Sequence, residues 1–246
     1  MSNLDPQGFG VEARNYDRYR TPPVERAVDW LVPDGCERAL DLAAGTGLLT
    51  RRLLARVGEV LAVEPDPRML AVLGENCPGA EIREGAAEDI PLPDERVEAV
   101  FVSSAWHWLD QQRALPEIAR VLEPGGRLGI VWTRWADAPW LDELLQDLAR
   151  HGVDLHHVRS KIARSRELGP LSGDAPFEVE DFEVFTAHQR MTRDEVAGLC
   201  TTYSWFLQHP RKDELRGTIE KHVARLDEIV EMPVVSQCFR LHHVPA

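Results

Sequence analysis

The stretch Ala39-Leu-Asp-Leu-Ala-Ala-Gly-Thr-Gly-Leu-Leu-Thr50, followed by Val60-Leu-Ala-Val-Glu64, decides how this chain folds. A short apolar run enters a turn of small residues. A helix-compatible segment follows, then a second apolar run that closes on an acid. The order reads as strand, tight turn, helix, strand, which is a βαβ unit. Apolar runs without polar alternation suit parallel strands covered on both faces. The small turn lets a ligand approach backbone. The acid at the second strand's end is placed to accept hydrogen bonds from two ribose hydroxyls.

Asp41 narrows the ligand, because it stands just before Gly45 and Gly47. A pyrophosphate seeks bare N–H groups there and is repelled by a carboxylate. An ammonium is attracted by one. S-adenosyl-L-methionine carries a ribose and an ammonium and no phosphate. Asp41, and the lack of a full Gly-x-Gly-x-x-Gly, count against an NAD(P)-dependent oxidoreductase. That reading stays as an alternative, as does a cofactor-binding regulatory protein without turnover.

The segment Asp41-Leu-Ala-Ala-Gly-Thr-Gly47 resembles the first motif of the class I S-adenosylmethionine-dependent methyltransferases, Asp/Glu-x-Gly-x-Gly-x-Gly. Ala43 replaces the first glycine, and a positive φ there would cost it something. The resemblance continues through Glu64-Pro-Asp-Pro-Arg-Met-Leu70, Gly85-Ala-Ala-Glu88, Phe101-Val-Ser-Ser104 and Leu122-Glu-Pro-Gly-Gly-Arg127. It spans residues 9 to 135 in order and spacing, and its nearest subgroup is similar to the trans-aconitate methyltransferase-like enzymes. It implies an α/β, Rossmann-like, doubly wound sheet of seven strands with an antiparallel last strand. It also implies in-line methyl transfer to a small molecule, with the activation carried by the cofactor.

The rest of the chain fits one methyltransferase domain over 1–246. Its parts are an N-terminal lid helix (1–32), a cofactor-binding core (36–135), a variable insertion with helices after strand five (136–175), and C-terminal strands and helices (176–246). Strands are expected at 37–42, 59–64, 80–84, 97–103 and 127–133, and helices at 47–57, 66–76 and 111–122. A helix beginning near Pro22 or Pro23 presents Val24, Ala27, Val28 and Leu31 on one face. Asp137-Ala-Pro139 reads as a helix start, followed by the stripe Leu141, Leu144, Leu145 and Leu148. The polar stretch 152–176 resists assignment. Thr192 and Glu195 form a capping-box pair. An amphipathic helix is expected over 211–231, with Leu215, Ile219, Val223, Leu226 and Val230 on one face. A strand at 234–244 is expected to pair antiparallel with one at 178–188.

Composition excludes several partners. A net charge of −13 argues against nucleic acid, and no apolar run approaches a bilayer span. Met1 to Arg14 is polar and has no signal-peptide core. Cys36, Cys77, Cys200 and Cys238 lack metal or redox spacing and read as reduced, mostly buried thiols in a cytoplasmic protein. His151, His156 and His157 near Asp154 match no ordinary metal site, so no metal is expected. The expected assembly is a monomer or homodimer.

The candidate cofactor residues follow the strand ends. Glu64 is the ribose acceptor, or else a solvated acid before the turn at Pro65. Asp66 caps the next helix, and Met69 lies against adenine or in the core. Ala87 and Glu88 face the adenine; Ala86 stands where similar enzymes carry an Asp. Thr46 lies within the glycine turn. Ser103 and Ser104 hold the ammonium or close their strand. The resemblance also implies that Arg20 pairs with the cofactor carboxylate from a lid element that includes Tyr16 and Tyr19. His107 contacts ligand and is the first candidate for a general base, since a hydroxyl acceptor wants one and a carboxylate acceptor does not. Trp106, Trp108, Trp132, Trp135 and Trp140 cluster after strands four and five. With Tyr16 they line an apolar acceptor pocket, or else they pack lid helices.

Overall fold

The computed structural model describes residues 6–136, 138–154, 171 and 175–244. A seven-stranded sheet runs in the order β3-β2-β1-β4-β5-β7-β6. β1 (Arg38–Leu42), β2 (Glu59–Glu64), β3 (Glu81–Glu84), β4 (Val97–Ser103) and β5 (Leu122–Trp135) are parallel. β7 (Ile229–His243) runs antiparallel between β5 and β6 (Phe177–Thr192). The Rossmann-like sheet with a reversed last strand is therefore as the sequence led us to expect.

Both faces of the parallel part are covered, which explains its unbroken apolar runs. On one face Leu40, Leu42, Leu61, Val100 and Val102 pack against Ala114, Leu115 and Ile118 of α5 (Gln111–Val121). On the other, Ala39, Val60, Ala99 and Phe101 meet Ala27, Val28 and Leu31 of α2 (Glu25–Leu31) and Leu53 of α3 (Thr50–Leu53). α2 thus presents the face read from its spacing. α1 (Ala13–Tyr19) and the 3-10 turn Pro6–Glu12 precede it. The lid helix expected over 1–32 is thus several short elements, and α1 gives no periodic signal to place it, because Ala13 is its one buried residue.

A third core forms beyond the carboxyl end of β5. Leu144, Leu145 and Leu148 of α6 (Pro139–Arg150) pack with Val196 and Leu199 of α7 (Arg193–Cys200), and with Leu215, Ile219 and Val223 of α9 (Lys212–Val223). α8 (Ser204–Leu207) adds Phe206. The capping box is present: the Glu195 N–H donates to Thr192 Oγ1 at 3.3 Å, and the Thr192 N–H to Glu195 Oε2 at 2.8 Å. We expect Thr192→Ala to cost about 1 kcal/mol, read as a lower urea midpoint at unchanged slope.

Several boundaries need correction, and the strands expected over 178–188 and 234–244 run Phe177–Thr192 and Ile229–His243. The helix expected over 211–231 ends at Val223, and Val230 belongs to β7. Val230, Met232 and Val234 are buried at alternate positions, so period two overrides the helical stripe there. In the stretch 47–57, regular helix is confined to Thr50–Leu53, though bonds such as Arg51 N–H to Gly47 O and Val57 N–H to Leu53 O flank it. The last residue expected in the helix over 111–122, Leu122, begins β5, which also runs two residues past the expected end, to Trp135. Asp137 lies outside the described residues, as does most of the stretch 152–176; the N-cap of α6 is Ala138. All four cysteines are buried and free.

Candidate functional site

Strand order reverses between β1 and β4, and open α/β sheets bind ligands outside the carboxyl ends of strands at such a point. The register brings those ends level: Leu42 pairs with Val63, Glu64 with Glu84, and Ser103 with Val131. The loop after β1, Glu64, the turn after β3 and Ser103–Ser104 therefore share one edge.

The loop after β1 turns sharply. Ala43, Gly45 and Gly47 have φ of 56°, 59° and 88°. Alanine at positive φ is strained by about 1–2 kcal/mol. Ala43→Gly should therefore stabilise the chain by about 0.5–1 kcal/mol, after the greater freedom of an unfolded glycine is counted. The check is a raised urea midpoint, and an unchanged or lowered one would contradict it. A methyl added at Gly45 would meet nothing within 4 Å, so the loop presents bare backbone there.

Glu64 is held in place by that loop. The Gly45 N–H donates to its Oε2 at 2.9 Å, and the Asp66 N–H to its Oε1 at 3.0 Å. Only 7% of the residue is exposed. Burial raises its pKa above the ordinary carboxylate value, and the two backbone donors oppose that shift. Each oxygen keeps a lone pair for a further donor. Asp66 caps α4 (Pro67–Asn76): its carboxylate accepts the Arg68 N–H at 2.9 Å, and the Arg68 side chain holds its pKa below the usual range.

Asp41 lies beneath the loop rather than in its mouth. It is fully buried and its Oδ2 accepts the Thr50 hydroxyl at 2.6 Å, while Oδ1 has no hydrogen-bond partner. Burial pushes its pKa up to about 7, against the pull of Thr50. Between pH ~4 and about 7 the folded chain keeps a proton that the unfolded chain has lost. The group's contribution to stability is thus greatest below pH ~4 and falls as pH rises toward about 7. Asp41→Asn should flatten this slope by up to about 1.4 kcal/mol per pH unit, measured by urea unfolding across that window. Parallel curves for the two proteins would refute the assignment.

After β3, Ala87 is buried, and Glu88 accepts the Asp110 N–H at 2.7 Å, which fixes the start of α5. At the end of β4, Ser104 takes φ of 56°, a conformation that non-glycine residues seldom hold. Its Oγ accepts the Thr133 N–H at 3.4 Å. His107 follows, exposed, in the short turn Trp106–Trp108, with its ring 4.8 Å from that of Trp108.

The N-terminal segment crosses this edge. Ala13, Met69 and Val72 form a cluster against which Phe9 and Tyr16 pack, and Phe9 also meets Trp108 at 6.1 Å. At its other end the Tyr19 ring lies on Gly198 of α7. Arg20 donates to Thr202 O at 2.9 Å, and its guanidinium lies 4.0 Å over the Tyr203 ring and 5.1 Å from the Tyr16 ring. Its Nε is buried without a hydrogen-bond partner.

The five tryptophans do not line one surface. Trp106 is 1% exposed inside the main core, and Trp132 packs at that core's edge against Phe239. Trp135 and Trp140 join the cap, 6.0 Å apart, with Tyr203 5.8 Å from Trp135. Trp108 faces the lid. Phe9 and Tyr203 were not singled out from the sequence, because only long-range packing identifies them. His151 binds Thr218 and Glu214, while His156 and His157 lie outside the described residues. No helix among the described residues is long and apolar enough to cross a membrane.

Residues 40–130 match the family model described as a methyltransferase domain. An uncharacterized methyltransferase of Mycobacterium tuberculosis is 50% identical over 234 residues, 94% of each chain. An uncharacterized methyltransferase-like protein of Schizosaccharomyces pombe is 32% identical, covering 93% of this chain and 88% of its own. Among solved structures, the Putative Type II Methyltransferase of Anaeromyxobacter dehalogenans superposes with a TM-score of 0.69 at 23% identity, covering 93% of this chain and all of that one.

Proposed function

Because the chain belongs to the class I S-adenosylmethionine-dependent methyltransferases, we propose that it methylates an oxygen or nitrogen of a small molecule that is apolar or carries a carboxylate. When bound, S-adenosyl-L-methionine supplies a methyl group already activated on a sulfonium. The residues present fit it. Glu64, anchored by two backbone donors with lone pairs to spare, would accept the ribose hydroxyls. The bare backbone at Gly45 permits close approach beside Thr46 and Gly47, and Met69 lies beside Tyr16 in the lid cluster. In this reading Ala87 and Glu88 take the adenine, Ser103 and Ser104 the ammonium, and Arg20 the carboxylate.

The acceptor reading rests on one observation. Tyr16, Arg20, Tyr203, Trp135 and Trp140 form a continuous aromatic and cationic layer between lid and cap, above the end of β5. Such a layer excludes water and favours small apolar or anionic groups. Trp106 takes no part, since its ring is core packing. Catalysis by these residues is mainly positioning. His107 would accept the proton of a hydroxyl acceptor, whereas a carboxylate acceptor has none to lose.

S-adenosylhomocysteine release, measured with small carboxylic acids and with apolar alcohols and phenols, tests the proposal. We expect turnover within one of these panels, reduced in Trp135→Ala. Turnover only on a protein or nucleic acid would overturn it. His107→Gln should slow a hydroxyl acceptor by about 10²-fold or more and leave a carboxylate acceptor unchanged.

A further inference from the structure

The outer edge of the sheet carries a second kind of information. Among the described residues β6 pairs with β7 alone, and its other side, 16 residues long, is the edge of the sheet. The large apolar side chains exposed among the described residues are Val11, Val179, Phe182, Val184 and Ile229. Three of the five lie on β6. They sit opposite Leu241, Phe239 and Gln237, which alternate along β7, so a bulge between Val179 and Asp181 keeps all three on one face.

The backbone at this edge faces outward at alternate residues. The N–H groups of Phe182 and Val184 donate to the carboxylates of Asp181 and Glu183, at 2.8 and 3.1 Å. Exposed side chains of this kind are readily displaced by the carbonyls of another strand. Charge is polarised along the strand. Its first half holds Glu178, Glu180, Asp181 and Glu183, and its second half holds His188 and Arg190, with Arg193 just beyond. Glu180 and Asp181 also reach Arg127 and Arg240 of the same chain, at 3.2 and 3.0 Å. Arg190 has no carboxylate partner among the described residues.

We propose that β6 pairs antiparallel with β6 of a second copy about a two-fold axis at Val184, joining two sheets into one. Antiparallel pairing sets the acidic half of each strand along the basic half of the other, which a parallel or shifted pairing would not do. Val184 has an outward N–H, so it can exchange both backbone bonds with its own copy, as a hydrogen-bonded antiparallel pair requires. Phe182 would then lie opposite Thr186 and Val184 opposite its own copy, so the two apolar stripes would adjoin on one face of the joined sheet. The net charge of −13 per chain opposes association, which makes this local complementarity the deciding feature.

Sedimentation equilibrium over about a hundredfold range of concentration tests it. The wild type should show the mass of two chains. Val184→Lys, which sets two ammoniums at the axis, should shift the equilibrium to one chain. Arg190→Glu alone, and Glu178→Lys with Glu180→Lys, should each do the same, and an equimolar mixture of these two variants should recover the dimer. All changed positions are exposed, and far-ultraviolet circular dichroism with a urea midpoint confirms that each variant is folded. A monomeric wild type, which leaves the edge to some other partner, overturns the proposal. So does a dimer indifferent to Val184→Lys, or a mixture that fails to recover it.

Discussion

Glu64→Ala should lose cofactor affinity by at least about 100-fold in calorimetric titration with S-adenosylhomocysteine. A hydrogen bond to a charged acceptor contributes about 1.5–3 kcal/mol, and a ribose offers two hydroxyls. The loss has a second source. The N–H groups of Gly45 and Asp66 converge on this carboxylate, and removing it leaves both without their acceptor. The loop then loses the anchor that holds it to β2, so the variant should also unfold at lower urea. Glu64→Gln separates the two effects. Its amide oxygen still accepts one backbone N–H, but its NH₂ confronts the other, so affinity should fall while stability falls less. If Glu64→Ala binds like the wild type, the ribose assignment is wrong whatever happens to stability.

Gly47→Ala should be the most destabilising single methyl in the site. At φ of 88° an L side chain is strained by about 1–2 kcal/mol. The added carbon would also lie 2.6 Å from Leu73 Cδ1 and 2.7 Å from Cys77 Sγ, both residues fully buried. Overpacking of this kind costs about 1–3 kcal/mol, so the total is roughly 2–5 kcal/mol. Urea unfolding reads it directly. Leu73→Ala in the same chain should return part of the packing cost and none of the backbone strain. A Gly47→Ala protein as stable as the wild type would mean that the loop is not held in this turn.

Much of the sheet was legible because its signals are local. The runs at 59–64 and 97–103 are apolar without interruption, and the strands found there have those bounds. Asp66 announced the cap of α4 through its chemistry, and Thr192 with Glu195 announced that of α7. Ala43 was readable as a strained position because a glycine was missing where a turn needs one. What was not legible depends on distant partners. Nothing in the spacing of Phe9 says that it meets Trp108, nor does Tyr203 show that it carries Arg20. Asp41 was read as a carboxylate facing an ammonium in the turn; its burial against Thr50 needs the third dimension. The tryptophans were adjacent in sequence and were divided by the sheet, which sends Trp132 and Trp135 to different cores.

The segment Phe9–Arg20 is fastened at both ends, on Met69 and Val72 at one and on Gly198, Thr202 and Tyr203 at the other. A short strap of this kind cannot relax at one anchorage without pulling on the other. Packing damage at Gly198 should therefore reach Met69 as faster amide exchange, although no residue there has been changed.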